Sequence, residues 1–417
     1  MIQLPRISHI VLLLLLISVA LALPGKARQE TVLAGIDVLL ADNFAPLAGK
    51  RIGLITNHTG RTRAGESTID VLVRAPGVHL VALFAPEHGL RGTIENAPVP
   101  SGRDARTGLP VYSLYGATRR PTDAVLAGLD VLVFDIQDAG VRFYTYITTM
   151  GYALEEAARH KVAFFVLDRP NPLGGLAVQG PLLDADRLSF EGYFPLPIRH
   201  GMTVGELARM FNRENRLDAE LTVVPMRGWR RALWFDQTGW AWVRPSPNLR
   251  SLAGATPYPA VELLRAGGVS VGRGTPSPFE LFGAPWIRSR ELQNYLEARR
   301  IPGLRFEPMS FRPTADVHAG QLCHGLRLRV TDRNRLDIGR LGVELLSALW
   351  RLYPDDFRLE KTIRLLGSQK TLERIRVGDD PEAIVAGWQA ELEAFKKMRG
   401  QYLLYDCSGP PRRRHTR

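Results

Sequence analysis

The chain has 417 residues, of which 45% are hydrophobic and 23% are charged. These proportions are typical of folded globular proteins, and they exclude both a largely disordered chain and a protein that crosses a membrane several times. The formal net charge of +12 comes mainly from arginines spread along the chain. A nucleic-acid footprint would concentrate them on one element with aromatic residues interleaved, so we expect no nucleic-acid partner.

The first 27 residues have the pattern of a secretory signal peptide. The cation Arg6 precedes the uncharged run Ile10–Leu23, and small residues lie at Ala20, Ala22 and Ala27. About 14 apolar residues are fewer than the ~20 that a membrane-spanning helix needs, so we favour a cleaved signal over a retained anchor. The sequence therefore predicts an exported protein, periplasmic or extracellular, without stable membrane insertion after cleavage.

Two cysteines, Cys323 and Cys407, lie beyond this signal. An exported protein meets oxidising conditions, in which the two thiols can form a disulfide. Their wide separation in the sequence is equally compatible with two buried free thiols, so both states stay open.

Four short apolar runs in the N-terminal half predict buried β-strands. The runs are continuous rather than alternating and rich in β-branched and aromatic residues, which is typical of strands buried on both faces. They are Arg51–Thr56, Val78–Phe84, Val131–Ile136 and Val162–Leu167. Helical patterns lie between or after them, at Ser67–Arg74, Pro121–Ala127 and Thr148–His160. This alternation predicts an α/β fold with a Rossmann-like parallel sheet that carries helices on both faces.

The pattern changes in the second half of the chain. Thr203–Asn215 predicts an amphipathic helix in which Thr203 is the N-cap and Glu206 occupies the capping-box position. The segments Arg244–Asn248 and Gly272–Pro278 are rich in proline and glycine and mark loops. We place a domain boundary near residue 248, which predicts a signal peptide at 1–27, a catalytic domain at 28–247 and an auxiliary domain at 248–417.

The auxiliary domain mixes strand and helix patterns. The stretch Leu326–Val330 predicts a strand, and Gly342–Trp350 and Pro381–Met398 predict helices. We therefore expect a smaller α+β domain after the Rossmann-like one.

Polar residues follow each of the four predicted strands. In open α/β sheets, ligands bind beyond the carboxyl ends of the strands. A single polar residue there is usually a helix cap or a turn residue, whereas four such loops on one edge predict a binding or reaction site. The residues are Asn57, His58, Glu87, His88, Asp135, Gln137, Asp138, Asp168, Arg169 and Asn171.

Several common chemistries lack their motifs in this chain. No G-x-G-x-x-G follows the first strand, and neither a phosphate-binding P-loop nor a G-x-S-x-G elbow occurs. His58, His88, Asp135 and Asp138 are metal-ligand types, but their spacing matches no metal signature and H-E-x-x-H is absent. We therefore expect neither a metal nor another cofactor.

Carboxylates are the better candidates for chemistry. Glycosidic cleavage uses one carboxylic acid to protonate the leaving oxygen and a second carboxylate as base or nucleophile. Glu87 follows an apolar strand, where partial removal from water raises the pKa of a carboxyl and keeps it protonated as a general acid. Asp135 or Asp138 would supply the second carboxylate, although a structural hydrogen bond to a loop is the alternative for Asp135.

Nine sequence strings together resemble one family, the exo-β-N-acetylmuramidase NamZ family, over nearly all of the chain after the signal. They are GLITNHTG (53–60), APEHGLRG (85–92), TGLPVYSLYG (107–116), VFDIQDAGVRFYTYITTM (133–150), LDRPNPLGG (167–175), RHGMTVGELA (199–208), WVRPSPN (242–248), VGRGTPSPFELFGAPW (271–286) and QYLLY (401–405). The resemblance implies a Rossmann-like domain, a smaller C-terminal domain and a cleft between them that releases terminal N-acetylmuramic acid from peptidoglycan-derived saccharides.

The resemblance also implies roles for particular residues. It places Glu87 and His88 at the site with Asn57, His58, Asp135, Gln137 and Asp138, and it implies that Arg142, Tyr144, Tyr146 and Arg273 face the cleft. The substrate carries a lactyl carboxylate that an arginine fork suits, so Arg142 and Arg273 are the candidates for that contact.

One segment departs from the family pattern. Before VGRGT the family usually reads E-G-T-N, whereas this chain has Arg265, Ala266, Gly267 and Gly268. The change would alter substrate choice or weaken activity, so a non-catalytic peptidoglycan-binding envelope protein is a second hypothesis. An exported metal-dependent amidase or esterase is a third. The sequence leaves open the oligomeric state and whether hydrolysis inverts or retains configuration.

Overall fold

The computed structural model describes residues 31–95 and 97–406. The predicted signal peptide and Cys407 lie outside these residues, while Cys323 is buried. The described residues from Val32 onward belong to one compact unit. Within the described residues, no helix is long and apolar enough to cross a membrane.

A seven-stranded sheet forms the centre of the N-terminal half, with the strand order β3-β4-β2-β1-β5-β6-β9. All neighbouring strands are parallel except the short pair β3 and β4. The strands are β1 Arg51–Thr56, β2 His79–Ala85, β3 Gly102–Arg103, β4 Pro110–Ser113, β5 Val131–Asp135, β6 Ala163–Leu167 and β9 Leu221–Val224. The four predicted strands are therefore confirmed as β1, β2, β5 and β6. Two short strands, β7 Gln179–Leu182 and β8 Pro197–Arg199, form a separate antiparallel pair.

Helices cover the sheet, as the continuous apolar strands require. Leu132 and Phe134 of β5 belong to one buried cluster, whereas their neighbours Val131 and Val133 belong to another. Because successive side chains of a strand point to opposite faces, both faces of the sheet are buried. The helices of this half are α1 Gly35–Ala41, α2 Thr68–Arg74, α3 Asp123–Leu126, α4 Tyr146–His160 and α5 Val204–Glu214, with single 3₁₀ turns at Ala45–Leu47, Ala185–Arg187 and Phe235–Gln237.

The capping box predicted for α5 is present. Thr203 Oγ1 accepts the backbone N–H of Glu206, and the Glu206 carboxylate accepts the backbone N–H of Thr203 at 3.0 Å. The other carboxylate oxygen of Glu206 contacts Nη1 of the fully buried Arg231 at 2.6 Å. The capping residue thus also fixes a buried ion pair beneath the helix.

The C-terminal half contains a three-stranded antiparallel sheet in the order β10-β12-β11. Its strands are β10 Leu281–Ala284, β11 Leu304–Phe311 and β12 Cys323–Val330. Its helices are α6 Leu252–Ala255, α7 Tyr258–Val261, α8 Ser289–Ala298, α9 Ile338–Leu352, α10 Ile363–Leu366, α11 Gln369–Arg376, α12 Pro381–Ala386 and α13 Gln389–Gly400, with 3₁₀ segments at Glu262–Gly267 and Leu359–Thr362. Helices together with an antiparallel sheet are the α+β arrangement expected for this half, and one core cluster extends from the central sheet into it.

The predicted helix Pro381–Met398 was wrong in its continuity, because two helices, α12 and α13, occupy that region. The carbonyl of Ala383 accepts a hydrogen bond from Arg374 Nη1, and the Trp388 indole N–H donates to Thr371 Oγ1. These contacts with α11 fix the chain at the break. Periodicity alone does not reveal such a tertiary interruption.

Candidate functional site

A pocket of about 250 Å³ lies between the loop after β2, the segment after β5 and the C-terminal half. It has a wall of aromatic rings and several charged groups. Its lining residues are Glu87, His88, Glu95, Tyr115, Phe143, Tyr144, Thr145, Tyr146, Glu191, Ser246, Tyr258, Glu262, Arg265, Ala266, Arg273, Phe279, Arg364 and Leu365.

Glu87 enters this pocket from the tight turn that follows β2. Its side chain is partly buried, and its Oε2 accepts a hydrogen bond from Thr145 Oγ1 at 2.5 Å. The Tyr115 hydroxyl also bonds to the Glu87 carboxyl, and burial together with the Glu87 charge raises the pKa of Tyr115 to about 12. Tyr115 therefore stays a hydroxyl donor at neutral pH, and two hydroxyl groups orient the one carboxyl.

His88, the next residue, has a left-handed backbone with φ of 70°. A non-glycine residue in this region is uncommon and is held there by its surroundings. Its Nδ1 lies 2.7 Å from the carbonyl of Ile94, which fixes Nδ1 as the protonated nitrogen. The ring is thereby held in a fixed orientation, and His88 lines the pocket.

His58 and Asn57 lie behind the pocket rather than on its surface. His58 Nε2 lies 2.7 Å from the carbonyl of Arg244, and burial lowers the pKa of the ring, so the neutral ring donates to that carbonyl. Gly92 packs so closely that a Cβ there would lie 1.9 Å from Cε1 of His58. Asn57 accepts two hydrogen bonds from Thr59 within the loop after β1. Both residues therefore support the pocket from outside it.

The structure places Asp135 outside the pocket, in a buried ion pair at the end of β5. Arg169 Nε contacts Asp135 Oδ1 at 2.5 Å and Arg169 Nη2 contacts Oδ2 at 2.9 Å. Thr68 donates a third hydrogen bond to the same carboxylate. Neither Asp135 nor Arg169 lines the pocket. Of the two roles considered for Asp135, the structure therefore favours a hydrogen-bonding role in the fold over that of the second carboxylate.

Asp138 and Gln137 also lie away from the pocket lining. Asp138 Oδ2 accepts the backbone N–H of Gly140 at 2.6 Å, and burial raises the pKa of Asp138 to about 7. Gln137 Nε2 donates to the carbonyls of Asp138 and Pro170. Gln137 lines a smaller crevice of about 70 Å³, together with Arg169.

Asp168 and Asn171, which follow β6, are used to hold neighbouring segments. Asp168 accepts hydrogen bonds from Thr203 at 2.7 Å and from the Tyr405 hydroxyl at 2.5 Å. Asn171 donates to the carbonyl of Met202 at 2.8 Å. These side chains connect β6 with the start of α5 and with the end of the described chain, and they do not line the pocket.

Arg142 is buried and does not line the pocket, contrary to its expected place in the cleft. Its guanidinium donates to four backbone carbonyls, and burial lowers the pKa of Arg142 to about 9. The four carbonyls are those of Pro181, Leu196, Leu365 and Leu366, of which the last two belong to the C-terminal half. Because its donors are committed to these carbonyls, Arg142 is no candidate for a substrate carboxylate.

Arg273 does line the pocket, within a cluster of charges. Its Nη2 contacts Glu262 Oε1 at 2.8 Å, its Nη1 lies 3.6 Å from Glu95 and its Nε lies 3.5 Å from Asp316. Arg265 contacts Asp316 at 2.6 Å and lies 4.0 Å from Glu262. Burial raises the pKa of Glu262, against the opposing effect of the two arginines.

The segment that departs from the family pattern is part of this cluster. It ends the 3₁₀ segment Glu262–Gly267, and Gly268 has a φ of 90°, a left-handed conformation that suits glycine. The charge introduced by Arg265 is neutralised by Asp316, so the pocket gains no free cation at this position.

Aromatic residues that come from both halves of the chain form one wall of the pocket. Tyr144 packs edge-to-face against Tyr146 with a centroid distance of 5.0 Å and against Tyr258 at 6.1 Å. Tyr258 packs in turn on Phe279 at 4.7 Å. The Tyr146 hydroxyl donates to the carbonyl of Pro245 at 2.6 Å. The expected cleft positions of Tyr144, Tyr146 and Arg273 therefore coincide with the observed pocket.

Sequence reasoning missed several charged and polar pocket residues, among them Glu95, Tyr115, Glu191, Glu262 and Arg364. Glu262 had a usable signal, because an acid within the apolar run Val261–Leu264 is rarely buried unless it is paired. Glu191 and Arg364 lie far from each other in the sequence and meet only through the fold, so no local pattern marks them.

Within the described residues, one group of three metal-type ligands occurs, and it is outside the pocket. It consists of Asp123, Glu156 and His160 near α3 and the end of α4. Arg159 contacts Asp123 at 2.7 Å and Glu156 at 2.6 Å. The two carboxylates of this group are thus already paired with an arginine.

Comparisons with known proteins find relatives over most of the chain. The model of the N-terminal domain of exo-beta-N-acetylmuramidase NamZ matches residues 52–253, and the C-terminal model matches residues 256–405. The peptidoglycan beta-N-acetylmuramidase NamZ of Bacillus subtilis (strain 168) is 45% identical over 383 residues, which are 91% of this chain and 92% of that protein.

Crystal structures of two DUF1343 family proteins from Bacteroides fragilis NCTC 9343 are similar as well. One has a TM-score of 0.84 and 39% identity and covers 90% of this chain and 99% of its own. The other has a TM-score of 0.76 and 31% identity, with coverage of 91% and 100%.

Proposed function

The chain belongs to the exo-β-N-acetylmuramidase NamZ family, and we propose that it is an exo-acting glycosidase that releases terminal N-acetylmuramic acid from peptidoglycan fragments. The proposal draws on the high identity to a peptidoglycan β-N-acetylmuramidase and on the chemistry of the pocket. A pocket of about 250 Å³ is slightly smaller than the ~300–1,000 Å³ of drug-sized ligand sites, as a site for one terminal sugar would be.

The observation that carries the proposal is the Glu87 carboxyl, which is oriented by two hydroxyl groups at the pocket. Thr145 donates to Oε2, and the Tyr115 hydroxyl bonds to the same carboxyl, so the side chain is held in place at the pocket. As the general acid, Glu87 passes a proton to the glycosidic oxygen as the bond to the departing sugar breaks. The two hydroxyls then stabilise the carboxylate that remains.

We assign the second carboxylate to Glu191 rather than to Asp135 or Asp138. Glu191 lines the pocket, and its charge acts on the Tyr115 hydroxyl as the charge of Glu87 does. The other pocket glutamates, Glu95 and Glu262, both face Arg273. Among the described residues, the one ion-pair partner of Glu191 is Arg364, whose side chain is well exposed. Such an exposed arginine exchanges readily between partners.

The test is hydrolysis of a chromogenic β-N-acetylmuramide by the wild type and by Glu87→Gln. We expect the wild type to release the chromophore and the variant to lose at least roughly 10³-fold in kcat, because the amide cannot donate the required proton. Glu155→Gln is the matched control, since Glu155 also accepts a tyrosine hydroxyl, that of Tyr193 at 2.6 Å, but lies outside the pocket.

The outcomes separate the competing functions. A wild type that binds muropeptide sugars without releasing chromophore would be the binding protein of the second hypothesis. Activity that a chelator abolishes would indicate the metal-dependent hydrolase instead. Equal losses in Glu87→Gln and Glu155→Gln would show only general damage to the fold.

We propose further that the protein is exported, on the basis of the residue pattern 1–27. Full-length chain produced in a bacterial host should accumulate outside the cytoplasm with an N-terminus near residue 28, as measured by mass spectrometry. A version that begins at residue 28 should stay in the cytoplasm. Recovery of the intact N-terminus in the cytoplasm would contradict export.

A further inference from the structure

Three arginines of the described residues line the pocket, and two of them are surrounded by carboxylates. Arg265 and Arg273 share the acids Glu262 and Asp316, and Arg273 also faces Glu95. Three acids therefore surround two cations. An added anion would be repelled there, so this cluster does not fit a substrate carboxylate.

Arg364 has a different environment at the pocket. Its side chain is 69% exposed, and its one carboxylate partner in the described part of the chain is Glu191, which is 22% exposed. An ion pair whose arginine is open to water contributes little free energy, because the guanidinium is well solvated when the pair separates. A ligand that carries its own carboxylate can therefore compete with Glu191 for this arginine.

The backbone that carries Arg364 is held firmly, although the side chain is exposed. Arg142 donates to the carbonyl of Leu365 at 2.6 Å and to that of Leu366 at 2.8 Å. The carbonyl of Gly367 accepts the backbone N–H of Asp184 at 2.8 Å. These bonds join α10 to the N-terminal half, so Arg364 presents its guanidinium to the pocket from a fixed backbone.

We propose that Arg364 binds the lactyl carboxylate of N-acetylmuramic acid and that the substrate carboxylate takes the place of Glu191 on this arginine. The proposal rests on the proposed function and names the contact that selects its substrate. A planar guanidinium can donate two parallel hydrogen bonds to a carboxylate, which a hydroxyl cannot accept in the same way. N-acetylglucosamine lacks the lactyl group and leaves the pair Arg364–Glu191 intact.

The exchange connects recognition with chemistry. While it is paired with Arg364, the Glu191 carboxylate is stabilised in a position set by the arginine. Once the substrate carboxylate occupies Arg364, Glu191 is free to act at the sugar as the second carboxylate. The enzyme would thus discriminate between the two sugars in turnover as well as in binding.

The experiment measures binding of free N-acetylmuramic acid and of N-acetylglucosamine by calorimetry, since the two ligands differ by the lactyl group. The wild type should bind N-acetylmuramic acid at least about tenfold more tightly. Arg364→Gln should lose most of this preference while its affinity for N-acetylglucosamine stays within about twofold. Arg329→Gln, which breaks the exposed pair Arg329–Glu307 outside the pocket, should keep the preference.

Glu191→Gln gives the sharper result, because binding and turnover should change in opposite directions. Removal of the competing carboxylate should tighten the binding of N-acetylmuramic acid by a few-fold, whereas hydrolysis of the chromogenic muramide should fall. A preference that survives in Arg364→Gln, or a wild type without a preference, overturns the inference. Failure of the proposed function is distinct, since it appears as absent hydrolysis in the wild type whatever the binding data show.

Discussion

The carboxyl edge of the central sheet has two parts that differ in the use of their polar side chains. At the loops after β1, β5 and β6, the side chains bond to one another and to backbone, as in the pair Asp135–Arg169. At the loop after β2, Glu87 instead faces a pocket completed by the C-terminal half. A polar residue that follows a strand therefore lies at this edge of the sheet. Whether its side chain stabilises the fold or is available to a ligand depends on the hydrogen-bond partners that it has.

The largest effect of a substitution is expected where the polar side chains bond to one another, at the end of β5. Asp135→Asn removes a buried charge and leaves Arg169 without its ion-pair partner, which should lower the free energy of unfolding by about 3–5 kcal/mol. Urea denaturation measures this change. The turnover per folded molecule should remain close to that of the wild type, and a stable variant without activity would place Asp135 in the chemistry after all.

The second effect concerns Thr145, the N-cap residue of α4. Its side chain makes no capping hydrogen bond and donates to Glu87 instead. Thr145→Val should lower kcat by roughly 10- to 100-fold with little change in KM, because the Glu87 carboxyl loses its orientation.

Recovery of most activity in Thr145→Ser identifies the hydroxyl as the cause. Thr149→Val is the control, since Thr149 lies on the same helix, is fully buried and has a hydroxyl without a hydrogen-bond partner in the described residues. It should keep wild-type kinetics. Equal losses in Thr145→Val and Thr149→Val would argue against the positioning role.

The third effect is a dependence of stability on pH. Burial raises the pKa of Asp138 from 3.8 to about 7, so the folded state retains a proton that the unfolded state releases. Stability from this group is full below about pH 4, falls as pH rises, and levels off above about pH 7. In Asp138→Asn, the midpoint of urea unfolding should vary less with pH across this window than it does in the wild type. The same pH dependence in both proteins would contradict the raised pKa.

The smallest effect is expected at Arg265. Its side chain is 36% exposed, and its ion pair with Asp316 is partly screened by water. Arg265→Gln should therefore change the unfolding free energy by less than about 1 kcal/mol and kcat/KM by less than about threefold. A large loss of activity would show that the departure at 265–268 takes part in catalysis.

Much of the fold could be predicted because its signals are local. Continuous apolar runs gave β1, β2, β5 and β6, and the capping box of Thr203 and Glu206 marked the start of α5. The pocket was harder to predict, because its residues come from distant parts of the chain. Glu191 and Arg364 are 173 residues apart, and their contact depends on the way the C-terminal half packs.

The same limit explains the residues that the structure places away from the pocket. Arg142 and Asp135 have the chemical types of a substrate anchor and a catalytic acid, and both belong to the string that supports the resemblance. Their carbonyl and guanidinium partners come from other segments, so the sequence alone cannot show that their hydrogen bonds are already committed.

The most direct measurement is product analysis with a disaccharide of N-acetylmuramic acid and N-acetylglucosamine that has the muramic acid at its non-reducing end. Wild-type protein should release both free sugars, and Glu87→Gln, folded to the same extent by circular dichroism, should release neither. Free N-acetylmuramic acid formed by Glu87→Gln at the wild-type rate would contradict the assignment of the pocket carboxyl as the source of the proton.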